Sequence, residues 1–416
     1  MIAAVRSARR VLQIAHNHPR FHAGGTELTA LALHRQGLAD GDDSWFLGAL
    51  DETQIVPNPG TQMIGLTPDH REAALFADGF RRFALAQDDH FGFLRELRDY
   101  LEWLRPDVVH IHHLLSFGLE TLHLIRNTLA DVRIVLTLHD YYLICANNGQ
   151  LYKHDTRERC DGPSLTACLG CFPERNASDF AMRALDIRQA LSLVDHVVSP
   201  SHFLKQKFEA SLSGMPAIPV IENGYLGEAA SFAQAPPQDD DVVFGYFGNI
   251  SAVKGLTDLL DAAEILLAQG HSGFRLHVHG TQLFEDPVLA RRMEAAVQTL
   301  GHQVRFFGAY ASGQMASLLA SVDCVVFPSV WWENAPLVIY EALNAGRQVV
   351  CYPHGGAPEI LARHGAGILA ERSEPTALAD AMARVLGNRA LADLTPTRPL
   401  PGRAETLQAY RALYFG

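Results

Sequence analysis

The sequence predicts an α/β protein built from two doubly wound, Rossmann-like domains. Short apolar runs of strand length alternate with amphipathic stretches of helix length, the mark of parallel sheets with crossover helices. The alternation breaks once, at "AQAPPQDDD" (233–241), and then restarts. The 416 residues are also more than one ordinary core supports, so two domains are expected.

The first domain (1–225) opens with "RRVLQIAHNH", a strand feeding the helix "GGTELTALALHRQGLADG". "DVVHIHHL" leads into "LETLHLIRNTLAD", and "VRIVLTLHD" follows; "LVDHVVSPS" precedes "HFLKQKFEASLSG". "VIENGY" reads as a strand ending at the turn-forming Asn223-Gly224. A cysteine-containing insert occupies about 140–175, and 80–106 reads as a solvated amphipathic helix. The second domain (226–402) runs from "VVFGYFGNI" through "FRLHVHGT" and "MASLLASVDCVVFPS" to "RQVVCYPHGG" and "APEILARHG". The final "RAETLQAYRALYFG" (403–416) has helical periodicity with no following strand, and can pack back on the first domain.

Composition narrows the function classes. At 48% hydrophobic and 19% charged, with mean hydropathy +0.01, the chain reads as globular. No apolar run approaches the ~20 residues of a membrane-spanning helix, and the short N-terminal apolar stretch does not read as a secretory signal. The net charge of −12 argues against nucleic acid as the main partner. Six cysteines without a signal point to a reducing compartment, hence the cytoplasm, with at most peripheral contact at the inner face of the membrane.

Ligands of such sheets bind beyond the carboxyl ends of the strands, where helix N-termini point. With two units, the crevice between them is the expected place. The stretch "WWENAPLVIYEAL" (331–343) keeps two carboxylates there, Glu333 in the strand-to-helix turn and Glu341 beyond the first turn of the helix. Pro336 suits the first helical position, and Gly346 the stop. Amides and dipole at the helix start attract an anion such as phosphate, while carboxylates accept from hydroxyls. Phosphate on one side and hydroxyls on two others describe a nucleotide sugar. A dipole partner and an exposed helix position are the plainer reading of the two glutamates.

Four further stretches face the same edge. "GNISAVKGL" (248–256) places Lys254 just before a helix, within reach of a phosphate. "FHAGGTE" (21–27) carries Gly24 and Gly25, which let the backbone approach a ligand closely. "LTLHD" (136–140) ends a strand at His139 and Asp140; the histidine can donate to a phosphate or sugar hydroxyl, and the aspartate can hold it or bind an acceptor. "PHGGAPEIL" (353–361) is a glycine pair before a helix.

In this order the five pieces resemble the retaining GT-B glycosyltransferases of family four, glycosyl transferases group 1, over about residues 10–365. Glu333 and Glu341 are similar to that family's Glu-x7-Glu pair, which implies contact with the donor hexose and the ribose hydroxyls respectively. The resemblance further implies that the backbone of Asn334, Ala335 and Leu337 holds sugar or phosphate and that Lys254 binds the diphosphate. It places Gly24 and Gly25 near the phosphates and His139 near the donor sugar and phosphate. Asn249 stands where the family often has arginine, leaving Lys254 as the charged clamp of that turn. The implied reaction is transfer of a hexose from a nucleotide diphosphate sugar to a saccharide or lipid-linked saccharide, in cell-surface polysaccharide or glycoconjugate synthesis. Glu333, His139 and Lys254 are the catalytic candidates. No catalytic metal is implied. A nucleotide-sugar epimerase and a catalytically silent nucleotide-sugar binding subunit are the alternatives on the same architecture.

Cys145, Cys160, Cys168 and Cys171 cluster in the first domain, the last two as C-x2-C; a structural zinc, buried free thiols and disulfides are all compatible with the spacing. Cys324 and Cys351 sit in strand-like runs and read as core. His16, His18, His110, His112 and His113 lie near strand ends, where hydrogen-bonded pairs are commoner than metal sites. Tyr141, Tyr142 and Asn147 are suggestions for acceptor contacts.

Overall fold

The structure, a computed structural model, describes residues 9–153, 156, 158–227, 241–282, 286–392 and 396–416. Most of the linker stretch 233–241 therefore lies outside the described residues. The chain divides into two compact units, Met1–Asn223 with Arg403–Gly416, and Gly224–Gly402.

The first unit holds a seven-stranded sheet. Its first strand, Arg10–Ile14, lies between Asp43–Leu50 on one side and Val108–Ile111 on the other, all parallel. The sheet continues through Arg133–Thr137 to His196–Val198 at one edge and through Glu72–Phe76 to Met63–Gly65 at the other. That last strand runs antiparallel, so the sheet is mixed at one edge. The stretch read as one helix over 80–106 forms a hairpin of Phe80–Arg81 with Ala86–Gln87 and then a helix confined to Phe93–Leu104. Leu85 takes a left-handed φ of 53° in the hairpin turn, which a continuous helix does not allow. "VIENGY" forms no strand; Val220 makes an isolated bridge to Ser199 before the Gly224 turn. The C-terminal helix, Arg403–Phe415, packs Leu407, Tyr410 and Tyr414 onto Val11, Val108, Val135 and Val198 of the sheet. Its Arg411 binds Asp40 at 2.8 Å and Asp42 at 2.6 Å, both at the end of the helix Gly25–Ala39.

The second unit holds six parallel strands, in the order Val304–Gly308, Phe274–His279, Val242–Phe247, Cys324–Phe327, Gln348–Cys351 and Ile368–Leu369. Both faces are covered, which is why these strands read as unbroken apolar runs. Val242, Phe244 and Tyr246 enter one core with the helices Leu256–Ala268 and Pro375–Gly387, while Val243 and Phe247 enter the other with Leu337–Asn344 and Ala357–His364. Cys324 and Cys351 are fully buried in this sheet.

In each unit the connections leave one central strand in opposite directions, creating a topological switch point. In the first it lies between Arg10–Ile14 and Val108–Ile111, and in the second between Val242–Phe247 and Cys324–Phe327. The turns after these strands carry most of the residues singled out by the sequence.

Candidate active site

In the second unit, three neighbouring parallel strands deliver their turns to one edge. After Val242–Phe247 the chain makes a short 3-10 turn, Ala252–Lys254, and enters its helix through Gly255. Gly255 has φ +74°, and a Cβ there would lie 1.8 Å from the carbonyl oxygen of Pro328, so only glycine lets the two turns touch. The turn after Cys324–Phe327 contributes Ser329, Trp331 and Glu333. Here Glu333 Oε1 accepts from Lys254 Nζ at 2.6 Å, Ser329 Oγ at 2.8 Å and Trp331 Nε1 at 2.6 Å. The Trp331 ring also lies 4.9 Å from Lys254 Nζ. Glu333 is only 8% exposed. Burial pushes its carboxyl up, but the Lys254 charge and the donors on it more than offset this, and the net shift is downward.

The third turn, after Gln348–Cys351, supports the second from beneath. Gly356 N–H donates to the Glu333 carbonyl at 2.6 Å. A Cβ on Gly356 would lie 1.6 Å from the Asn334 carbonyl oxygen. "PHGG" is thus a backbone cradle for Glu333-Asn334. Ala335 is buried beside it, and Leu337 opens the helix Leu337–Asn344. Pro336 is not the first helical residue but the residue before it, with ψ 120°, because the chain stays extended until Leu337. At the start of this helix Ile339 N–H donates to the Pro336 carbonyl at 3.1 Å, and the amides before it have no acceptor within the helix.

Glu341 lies one turn further along. It has no hydrogen-bond partner among the described residues, and burial alone pushes its carboxyl up to about 7. Burial, and after it the Glu341 charge, pushes the Tyr310 hydroxyl up. Asn249 is exposed, with its carbonyl accepting from the Tyr246 hydroxyl at 2.9 Å.

In the first unit the switch point gathers histidines. Gly24 precedes the helix Gly25–Ala39, and a Cβ on it would lie 2.6 Å from Glu27 Oε2. Glu27 is buried and its Oε1 is held by His16 Nε2 and His22 Nδ1, both at 3.1 Å. Burial opposes ionisation, yet these two rings bring the Glu27 carboxyl down to about 2. Asp140 does not hold His139; its Oδ2 is 2.8 Å from His113 Nε2, and its Oδ1 accepts from the Tyr142 amide. Burial lowers His113, but Asp140 raises it by more. His139 instead lies 3.0 Å, Nε2 to Nδ1, from His112, whose Nε2 is 2.9 Å from Gln13 Oε1. Beyond Gln13, the Tyr414 hydroxyl is 2.7 Å from His110 Nδ1, and His110 Nε2 is 2.7 Å from Thr137 Oγ1. Burial, then the neighbouring ring, holds His112 and His139 well below the ordinary histidine range, so both are neutral at pH 7. His18 is paired separately with Glu72 at 3.0 Å.

The sequence reading missed Glu27, Gln13, Ser329 and Trp331. The last two carry a usable signal: Ser329, Trp331 and Glu333 are spaced by two, so an extended turn can bring all three side chains to one side. Tyr141 and Tyr142 are buried, and Asn147 donates to the Tyr152 carbonyl at 2.9 Å.

Cys145, Cys160, Cys168 and Cys171 line one cavity of about 480 Å³, with Leu143, Phe172 and Phe180 among its walls. None is in a disulfide. Among the described residues no three His, Cys, Asp or Glu side chains are gathered as an ion requires. No helix among them is long and apolar enough to cross a membrane.

Two Rossmann-like units of this topology, each with its residues at the switch point, define a GT-B protein. The family described as Glycosyltransferase Family 4 matches residues 23–225, and that described as Glycosyl transferases group 1 matches 228–395. The chain belongs to the group 1 glycosyltransferases. Among curated relatives it is 26% identical to WcaC of Escherichia coli, a protein assigned to glycosyl transfer in colanic acid biosynthesis, over 86% of this chain and 88% of that one. It is 29% identical to the lipopolysaccharide 1,2-N-acetylglucosaminetransferase of Salmonella typhimurium, over 55% of this chain and 58% of that one. Among solved structures, the sucrose-phosphate synthase of Thermosynechococcus elongatus superposes with TM-score 0.65 at 18% identity, covering 98% of this chain and 96% of that one. Anabaena HepE in complex with UDP-glucose gives TM-score 0.60 at 20% identity, covering 98% and 95%. At these identities the two structures support the fold.

Proposed function

We propose that the protein is a retaining hexosyltransferase. It moves a hexose from a nucleotide diphosphate sugar to a saccharide or lipid-linked saccharide in the synthesis of a cell-surface polysaccharide or glycoconjugate. The observation that carries this reading is the asymmetry of the two glutamates. Glu333 is fixed by three donors in a strand-to-helix turn, and Glu341 stands on the helix that follows, Leu337–Asn344, with no hydrogen-bond partner among the described residues. The names of the Escherichia coli and Salmonella relatives and the UDP-glucose held by HepE support the donor and product classes.

In this reading Glu333 and the backbone of Asn334, Ala335 and Leu337 orient the hexose and its phosphate, and Glu341 accepts from the ribose hydroxyls. Lys254 has three N–H donors; one serves Glu333 and the others meet the diphosphate, with Asn249 beside it. On the first unit we assign His139 to the donor sugar and the Gly24-Gly25 backbone to the phosphates. The bond from the anomeric carbon to the diphosphate oxygen breaks and the acceptor oxygen bonds that carbon on the same face. The acceptor's proton passes to the departing phosphate, whose charge Lys254 and the amides stabilise. Release of nucleoside diphosphate that depends on added acceptor is the expected result. Conversion of the donor sugar without acceptor would instead establish an epimerase.

Glu341 gives this reading a pH signature. Hydroxyl donors favour the carboxylate, so donor binding lowers a carboxyl that titrates near 7 in the free protein. Donor affinity is therefore expected to rise about tenfold from pH 6 to pH 8, and Glu341→Gln should flatten the profile. A flat profile in the unsubstituted protein, measured by isothermal titration, would remove Glu341 from the ribose site.

A further inference from the structure

His139 is joined to the C-terminal helix by an uninterrupted hydrogen-bond chain. From His139 Nε2 it runs to His112 Nδ1 at 3.0 Å, from His112 Nε2 to Gln13 Oε1 at 2.9 Å, and from Gln13 Nε2 to the Tyr414 hydroxyl at 3.3 Å. It continues from Tyr414 to His110 Nδ1 and from His110 Nε2 to Thr137 Oγ1, each at 2.7 Å. Gln13, His110 and His112 are 1%, 0% and 0% exposed, so water does not substitute for any of these partners.

A neutral imidazole donates through one nitrogen and accepts through the other, so in such a chain each link fixes the next. Gln13 is the one member whose two ends differ chemically. Its oxygen faces His112 and can only accept, so His112 carries its proton on Nε2 and presents a bare Nδ1. That nitrogen accepts, so His139 carries its proton on Nε2 and its Nδ1 bears none. At the other end the Gln13 amide donates to Tyr414, whose own hydroxyl hydrogen then goes to His110 Nδ1, and His110 Nε2–H goes to Thr137. Every donor points the same way. Turning the Gln13 amide over would reverse them all and make His139 Nε2 the acceptor.

We propose that Gln13, held by Tyr414 of the C-terminal helix, is a positioning residue that sets the ring tautomer of His139. With its one N–H committed to His112, His139 has none to give a phosphate oxygen, and any hydrogen bond it makes to a ligand is one it accepts. This replaces the sequence expectation that His139 donates to a phosphate or hydroxyl. The inference rests on the reading of His139 as a donor-sugar contact, but the tautomer itself does not.

The test is nitrogen NMR of protein labelled with 15N in its histidine rings, with the His139 signals assigned by their loss in His139→Asn. The expected wild-type result is a neutral His139 protonated on Nε2. Gln13→Met, close in volume and without hydrogen bonds, and Tyr414→Phe, which keeps the packed ring, should each give a mixture of tautomers. They should also lower kcat/KM for the donor by about tenfold, the order of one lost hydrogen bond. A wild-type ring protonated on Nδ1, or a ring unchanged in both variants, overturns the proposal. A changed tautomer with unchanged donor kinetics supports the relay and refutes the placement of His139 at the donor sugar.

Discussion

Lys254→Ala is expected to lower donor-dependent turnover by at least about a hundredfold, the scale of one lost stabilising donor at a developing charge. It should also cost about 3 kcal/mol of stability, as breaking a buried pair does. Lys254 is the one cation among the three donors on Glu333 Oε1; without it, Ser329 and Trp331 hold a buried carboxylate whose charge is unpaired. The effect carries a sign that separates it from simple loss of packing. In the unsubstituted protein Glu333 is depressed below its ordinary 4.5. Its contribution is therefore complete above that value and is lost as the pH falls through the lower folded value. In the variant, burial dominates and raises the carboxyl, so the variant loses stability as the pH rises instead. Thermal unfolding across pH reads this inversion directly. Full activity of the variant with any donor would contradict the assignment of Lys254.

Gly356→Ala should be nearly as damaging although it touches no ligand. The new methyl would lie 1.6 Å from the Asn334 carbonyl oxygen and 2.6 Å from its carbon, so the Glu333-Asn334 backbone must move by more than an ångström. Displacement of a positioning group on that scale costs about a hundredfold in rate, with about 1–3 kcal/mol of overpacking. The control is Gly387→Ala, at the end of the helix Pro375–Gly387, where a Cβ meets nothing within 4 Å. That change should leave turnover alone. Equal turnover in the two variants would show that the "PHGG" turn does not support the site.

The fold was legible where burial imposes a simple pattern. "VVFGYF" and "CVVF" are covered on both faces, so they read as strands at once. Met63–Gly65 was missed because three residues show no period, and the 80–87 hairpin was hidden by the helix-like spacing of its apolar residues. In the site, Glu333, Glu341 and Lys254 were legible because each sits at a fixed place relative to a strand end. The polar shell around them was not, because its partners meet only through tertiary packing. Lys254 and Glu333 are 79 residues apart, His112 and Gln13 are 99 apart, and Gln13 and Tyr414 are 401 apart. One trace was present all the same: His110, in the strand Val108–Ile111, and His112, just past its end, are two residues apart, the spacing that puts side chains of extended chain on one face. Asp140 shows the converse error. Adjacency to His139 suggested a pair, yet neighbouring residues after a strand point apart, and Asp140 reached His113 instead.

The central claim is that Glu333, Lys254 and Glu341 form a donor site for a nucleotide diphosphate sugar. The most direct measurement is thermal unfolding of the unsubstituted protein and of Lys254→Ala against a panel of nucleoside diphosphates and their sugars, with and without divalent metal. A ligand that binds only the folded state at a hundred times its Kd adds about 2.7 kcal/mol. The account predicts a selective rise with one nucleotide and its sugar, independent of metal and lost in Lys254→Ala. A panel in which no nucleotide raises the stability of the unsubstituted protein would contradict it.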